Sequence, residues 1–187
     1  MDAIITLHGG GFTGGSVNWD RKQNVALESL GLKVYQLDFP TNNFEDCMSY
    51  LQDKFNQIKS NHPRVFLLGR SSGGYLAKQL FERNPLDFTR VFYLAPVFNP
   101  ELRAKIYPKF KNRQEFFFRK TTTIPSTKLW DETKEVLFVP HRDQNVPLKC
   151  YTLKQLKGVI DLGIQTHSGL CCTCSKLFLK TIKRYLK

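Results

Sequence analysis

Long apolar runs are missing from this 187-residue sequence. Near the N-terminus only the five residues Ala3 to Leu7 form such a run, too short for the core of a signal peptide or for a membrane span, and nothing later is long enough to span either. A soluble protein is expected. Cysteine is also scarce: Cys47, Cys150, Cys171, Cys172 and Cys174 are odd in number and lack a paired spacing, which argues against a disulfide framework. A reducing, cytoplasmic setting is the corresponding expectation. No internal repeat, low-complexity tract or Gly/Ser linker divides the chain, so residues 1–187 are read as one domain.

Acidic residues are in deficit, and the deficit is uneven. Lys and Arg number 28 against 16 Asp and Glu, a formal charge of +12. Residues 1–100 hold ten basic residues against nine acidic ones, whereas residues 101–187 hold 18 against seven. Such a field favours anionic partners, among them phospholipid surfaces, nucleic acid and acidic substrates, without identifying a reaction. The 41% of hydrophobic residues suffices for one sizeable core.

Apolar, β-branched or aromatic runs at Ala3–Leu7, Lys33–Leu37, Arg64–Leu68, Arg90–Leu94, Val136–Val139 and Val159–Ile164 predict six buried strands. Between them Phe44, Cys47, Met48, Leu51, Phe55 and Ile58 recur at helical spacing, and a second helix is predicted from Ser72 to about Phe81. Strands separated by helices give a mainly parallel, doubly wound α/β sheet with helices on both faces. A final helix, Leu170 to Leu186, carries Phe178, Leu179, Ile182, Tyr185 and Leu186 on one side and Lys176, Lys180, Lys183 and Lys187 opposite, which reads as a core-packed helix with a solvated basic face. Residues 98–133 break the alternation; a structureless loop of that length is unusual, so short helices or a cap are expected there.

Gly69-Arg70-Ser71-Ser72-Gly73 matches Gly-x-Ser-x-Gly, and it follows a predicted strand and opens a predicted helix. A nucleophile on so tight a turn needs small flanking residues, and its hydroxyl then stands at a helix N-terminus. Centring the motif on Ser71 places Gly69 and Gly73 correctly, whereas centring it on Ser72 would put Arg70 where glycine is wanted. Taken alone, the pattern fits a plain glycine-rich turn equally well. A second feature, His8-Gly9-Gly10-Gly11-Phe12, directly follows the first strand. Its glycines allow backbone N–H groups to converge on the oxyanion of a tetrahedral intermediate, with Ser72 N–H as the other donor. It lacks the Lys-Ser/Thr ending of a P-loop and the Gly-x-Gly-x-x-Gly spacing of a dinucleotide site. His8 is read as bracing the loop.

In this motif order the chain resembles the α/β-hydrolase family, and within it the esterases and lipases with a His-Gly-Gly-Gly oxyanion loop. The resemblance implies that the acid follows the fifth strand counted here and the base the sixth. Phe138 to Pro147 then resembles the family's acid loop, with Asp143 as the acid, and His167, in Gln165-Thr166-His167-Ser168-Gly169, stands where the family places its base. The implied site is a triad of Ser71, Asp143 and His167, with an oxyanion hole from Gly10, Gly11 and Ser72. His62, in a polar turn before Pro63, His141, just before the acid, and Asp161, inside a strand, are weaker alternatives with structural readings. Against the family pattern the chain opens at the third strand, so the sheet is minimal. Arg70 is a departure too, suited either to an anionic substrate or to pairing with a nearby carboxylate, the latter slightly favoured.

The resemblance also makes residues 98–133 a cap over an acyl pocket. Residues 103–120 hold seven basic residues with Glu115 the only acid, together with Phe116-Phe117-Phe118. This suits an anionic lipid surface or a phosphate-bearing leaving group; equally, the phenylalanines could pack inward with the charges solvated. No Cys or His cluster partners Cys171, Cys172 and Cys174, so no metal is expected, and neither metal nor cofactor is required. The leading expectation is hydrolysis of a small-molecule or lipid acyl ester through an acyl-enzyme. A thioesterase or lipid deacylase would use the same residues. A non-catalytic basic protein that holds anionic membrane or nucleic acid is the contrasting class; the hydrolase motifs make nucleic acid the secondary partner.

Overall fold

The computed structural model describes residues 1–127, 130–140, 143–163 and 176–187. Its strands are β1 (Ala3–Leu7), β2 (Lys33–Leu37), β3 (Val65–Arg70), β4 (Arg90–Leu94), β5 (Glu135–Val139) and β6 (Ile160–Asp161). They form one six-stranded sheet in the order β2-β1-β3-β4-β5-β6. All five pairings are parallel. The helices are α1 (Arg21–Glu28), α2 (Phe44–Lys59), α3 (Ser72–Arg83), α4 (Pro100–Ile106), α5 (Lys111–Phe118), α6 (Leu153–Leu156) and α7 (Lys176–Tyr185).

Alternation along the central strands feeds two cores. Ile5, Leu67, Tyr93 and Leu137 pack with Phe44, Leu51 and Phe55 of α2 and with Tyr75 and Leu80 of α3. Ile4, Phe66, Phe92 and Phe138 point the other way, onto Leu27 of α1 and Phe178 and Ile182 of α7. Successive strand residues face opposite sides of a sheet, so a continuous apolar run is what a strand covered on both faces requires. The six apolar residues expected to recur along α2 are the six it buries. Asn43 caps that helix by accepting the Asp46 N–H at 2.9 Å.

The sequence reading differs from the fold in four places. The edge strands are not buried: β2 is exposed or half-buried over Lys33–Gln36, and β6 is half-buried at Ile160 and exposed at Asp161, because an edge strand has a neighbour on one side alone. β3 continues through Gly69 and Arg70, which align with Tyr93 and Leu94 of β4, so the strand runs to the residue before Ser71. The sixth strand is only Ile160–Asp161, not Val159–Ile164. It pairs with Phe138 and Val139 at the sheet edge, and an Asx turn ends it, with Asp161 Oδ1 accepting the Gly163 N–H at 2.8 Å while Gly163 takes φ +81°. Ile164 lies outside the described residues, as do 170–175 of the expected last helix. Finally, α1 has no counterpart in the predicted elements, because its buried face is Gln23, Asn24 and Leu27 while Val25 is exposed.

Residues 98–133 carry the two short helices α4 and α5. Phe117 and Phe118 of α5 pack inward against Phe12, Phe44 and Tyr75, with ring centroids 5.1 to 6.2 Å apart within the group. Phe116 is half-exposed and lies under the Arg119 guanidinium at 3.9 Å. On α7, Phe178 and Ile182 are buried while Lys176, Lys180 and Lys183 are exposed, as expected of a core-packed helix with a basic outer face; Lys187, two residues past the helix, is exposed too. No described helix is long and apolar enough to cross a membrane.

Candidate active site

In a parallel sheet every strand ends on the same edge, and the singled-out segments that the structure describes follow strands that end there. β1 delivers His8 to Gly11, β3 delivers Ser71, and β5 leads towards Asp143. Ligands of open α/β sheets bind at this carboxyl edge.

Ser71 occupies the turn between β3 and α3 with φ +52° and ψ −120°. A non-glycine residue held there is strained, and strain persists only where the surroundings over-determine it. Here the Ser71 N–H donates to Leu94 O at 3.0 Å, and its carbonyl accepts from Gly74 N–H at 3.0 Å and Val97 N–H at 2.9 Å. The flanking glycines are required by close approach. A methyl group at Gly73 would stand 2.3 Å from His8 O and 2.4 Å from Leu7 O, and one at Gly69 would stand 2.5 Å from Gly73 O. The motif therefore presses the start of α3 onto the end of β1. Ser72 is the first residue of α3 and is buried with Ser71.

The loop after β1 lies against this turn. A methyl group at Gly9 would come 2.9 Å from Ser71 Cβ. Gly10 has φ +146° and Gly11 has φ +66°, and a side chain on Gly10 would collide with Gly14 O at 1.8 Å. Both are partly exposed. His8 is buried: it stacks on Phe39 with centroids 4.3 Å apart, and Nδ1 lies 2.8 Å from Gly9 O. Its Nε2 stands 3.4 Å from Asp38 Oδ1, near enough for attraction but with no hydrogen-bond geometry. These contacts brace the loop.

Arg70 does pair with a carboxylate. Its buried guanidinium donates from Nε to Asp20 Oδ1 at 2.9 Å, and Nη2 has no hydrogen-bond partner. Burial raises the Asp20 pKa, an effect that Arg70 partly offsets. Asp20 lies fifty positions from Arg70 at the end of a short 3-10 helix, and no sequence signal joins them.

Asp143 is buried, and its Oδ1 accepts N–H bonds from Asn145 at 2.8 Å and Val146 at 2.9 Å, a turn that fixes the carboxylate. Arg103 of α4 reaches the same loop, with Nε 3.4 Å from Asn145 O and its guanidinium 3.5 Å over the Phe110 ring. Burial lowers the Arg103 pKa to about 10, against the pull of Asp143. Sequence reasoning did not single out Arg103. His167 and His141 lie outside the described residues. His62 is far from this edge in its bonding: Nε2 contacts Tyr35 Oη at 2.8 Å and Nδ1 contacts Met1 O at 2.7 Å. Asp161 is exposed and engaged in its own turn.

No described protein family and no curated protein matches the chain by sequence. Solved structures do match its fold. An alpha/beta hydrolase enzyme from the metagenome of lagoon sediments at Mar Chica, Morocco, is 17% identical with a TM-score of 0.68, over 99% of this chain and 90% of that one. The fold is the α/β-hydrolase fold. Carboxyl esterase 2 from the mycorrhizal fungus Tuber melanosporum aligns over 98% of this chain and 76% of its own at 15% identity and a TM-score of 0.69. A lipase/esterase from Lactobacillus plantarum aligns over 99% and 84% at 15% identity and a TM-score of 0.65. At such identities the likeness establishes architecture; chemistry on an α/β-hydrolase fold is argued from the site.

Proposed function

We propose that this chain is a serine hydrolase that cleaves carboxylic esters through an acyl-enzyme on Ser71, with Asp143 and His167 completing the triad. The observation that carries the reading is the Ser71 backbone, held at φ +52° on the turn from β3 into α3. A plain connecting turn has no need to hold a serine in that conformation. The close approach of Gly9 to Ser71, which brings the glycine loop against this turn, supports an oxyanion hole built from the N–H groups of Gly10, Gly11 and Ser72.

In this mechanism His167 takes the Ser71 proton as Oγ attacks the acyl carbonyl, and returns it to the departing alcohol. Asp143 holds the imidazole tautomer and stabilises the imidazolium. Water then attacks the acyl-enzyme, giving a proton to His167, and Ser71 regains one as the carboxylic acid leaves. The fixed Asp143 carboxylate suits this role, since Oδ1 is saturated by two backbone N–H groups and cannot swing. The segment 98–133 serves as a cap, its α5 phenylalanines packed on Phe12 beside the oxyanion loop.

A fluorophosphonate probe tests the reading by intact mass. Wild type is expected to gain one adduct that Ser71→Ala lacks, and Ser71→Ala should lower ester turnover by roughly a millionfold if the triad acts as a unit. Absence of an adduct on folded wild type, or turnover retained by the variant, would overturn it.

A further inference from the structure

The cap places on the oxyanion loop a cation that has no carboxylate partner among the described residues. The Arg113 side chain of α5 is exposed, yet it lies against the β1 loop: a methyl group on Gly11 would stand 3.8 Å from both its Cδ and its Nη1. No described carboxylate pairs with it. Glu115, the one acid on α5, faces Lys111 at 3.8 Å instead. Asp143 faces Arg103, and its Oδ1 is already occupied by two backbone N–H groups. Burial is the main cause of the lowered Arg103 pKa, and repulsion from Arg113 adds a smaller push in the same direction. A cation held against a glycine loop, with a second cation near enough to repel it, forms a site whose repulsion an anion relieves. A guanidinium offers a planar pair of donors matched to carboxylate or phosphate oxygens.

We infer that Arg113 binds an anionic group of the substrate, a carboxylate or phosphate, beside the Gly10–Gly11 loop, the charge of Arg103 adding to the positive field there. This deepens the hydrolase reading and rests on it for the reaction, but the anion site itself does not depend on turnover. The substrate class is then an ester of an acid or alcohol that bears a second, ionised group near the scissile bond.

The test compares p-nitrophenyl butyrate with the p-nitrophenyl monoester of glutaric acid, and a phosphate-bearing acetate ester as a third arm, in wild type, R113Q and R113K. The reading is the ratio of kcat/KM for an anionic ester to that for the neutral one. A charge-assisted pair lost at the mouth of the site should lower this ratio about tenfold or more in R113Q, with partial recovery in R113K and a loss concentrated in KM. Which anionic arm loses more tells carboxylate from phosphate. A ratio that changes less than about twofold in R113Q overturns the inference while leaving Ser71 labelling intact. Should wild type fail to label at Ser71, the hydrolase reading falls and calorimetry with glutarate and inorganic phosphate decides the anion site alone. Affinity weakened about tenfold in R113Q supports the site; equal affinity in the two proteins overturns it.

Discussion

At the scale of single residues, the site is set by what cannot be substituted around Ser71. Gly69 and Gly73 are demanded by main-chain atoms of α3 and β1, and Gly9 by Ser71 itself. Beneath the turn, the Arg70–Asp20 pair is buried on both sides and joins the residue before Ser71 to the chain just ahead of α1. Removing one charge leaves the other without compensation in a low-dielectric setting, so Asp20→Ala should destabilise the fold by about 3 to 5 kcal/mol in urea denaturation. The double replacement Asp20→Leu with Arg70→Met should recover most of that loss, because an apolar pair of similar volume has no charge to desolvate. An equal loss in both proteins would mean that packing, and not charge, fixes this corner.

At the scale of elements, α3 is buried from Ser72 through Phe81. Within it Lys78 is held by both oxygens of Glu135 at 2.7 and 2.8 Å, and Glu135 also accepts from Tyr93 Oη and from the Asp131 N–H, each at 2.7 Å. This ties α3 to β4, to β5 and to the turn ahead of β5. The same turn makes a pH prediction. The Thr133 hydroxyl, at 2.6 Å, is the main cause of a lowered Asp131 pKa, assisted by the Thr133 N–H at 2.9 Å. A carboxylate whose folded pKa is depressed stabilises the protein above its unfolded pKa, near 3.8, and that contribution disappears as pH falls through the folded value. Thr133→Val should therefore cost about 0.5 to 1 kcal/mol at pH 6, allowing for solvent screening, and nothing once pH is below both values. A difference that persists at about pH 2 would assign the effect to packing.

Across the whole molecule, charge is the dominant feature. With a net +12 on 187 residues, self-repulsion opposes the compact state and salt screens it. Raising NaCl from about 10 mM to about 200 mM should lift Tm by a few degrees, and phosphate at equal ionic strength should lift it further if the Arg113 site is filled. A Tm that is flat in salt would show that the basic residues are spaced too widely to repel. The C-terminal end accounts for part of this charge, with Lys180, Lys183 and Arg184 of α7 and the following Lys187 gathered together and exposed.

The sequence by itself determined the succession of strands and helices along the chain: β-branched and aromatic runs that the central strands bury on both faces, six apolar residues at helical spacing in α2, and glycines spaced for a serine on a strand-to-helix turn. These are local properties, set by backbone sterics and by which faces must leave water, and they survive into the fold nearly unchanged. Tertiary structure alone decided the rest. It brought Asp20 to Arg70 across fifty positions, gave α1 a polar buried face that no apolar period marks, cut β6 to two residues at the sheet edge, and laid Arg113 on the Gly11 backbone. Each of these depends on partners distant in sequence, whose meeting is fixed by sheet order and helix packing and leaves no periodic trace along the chain.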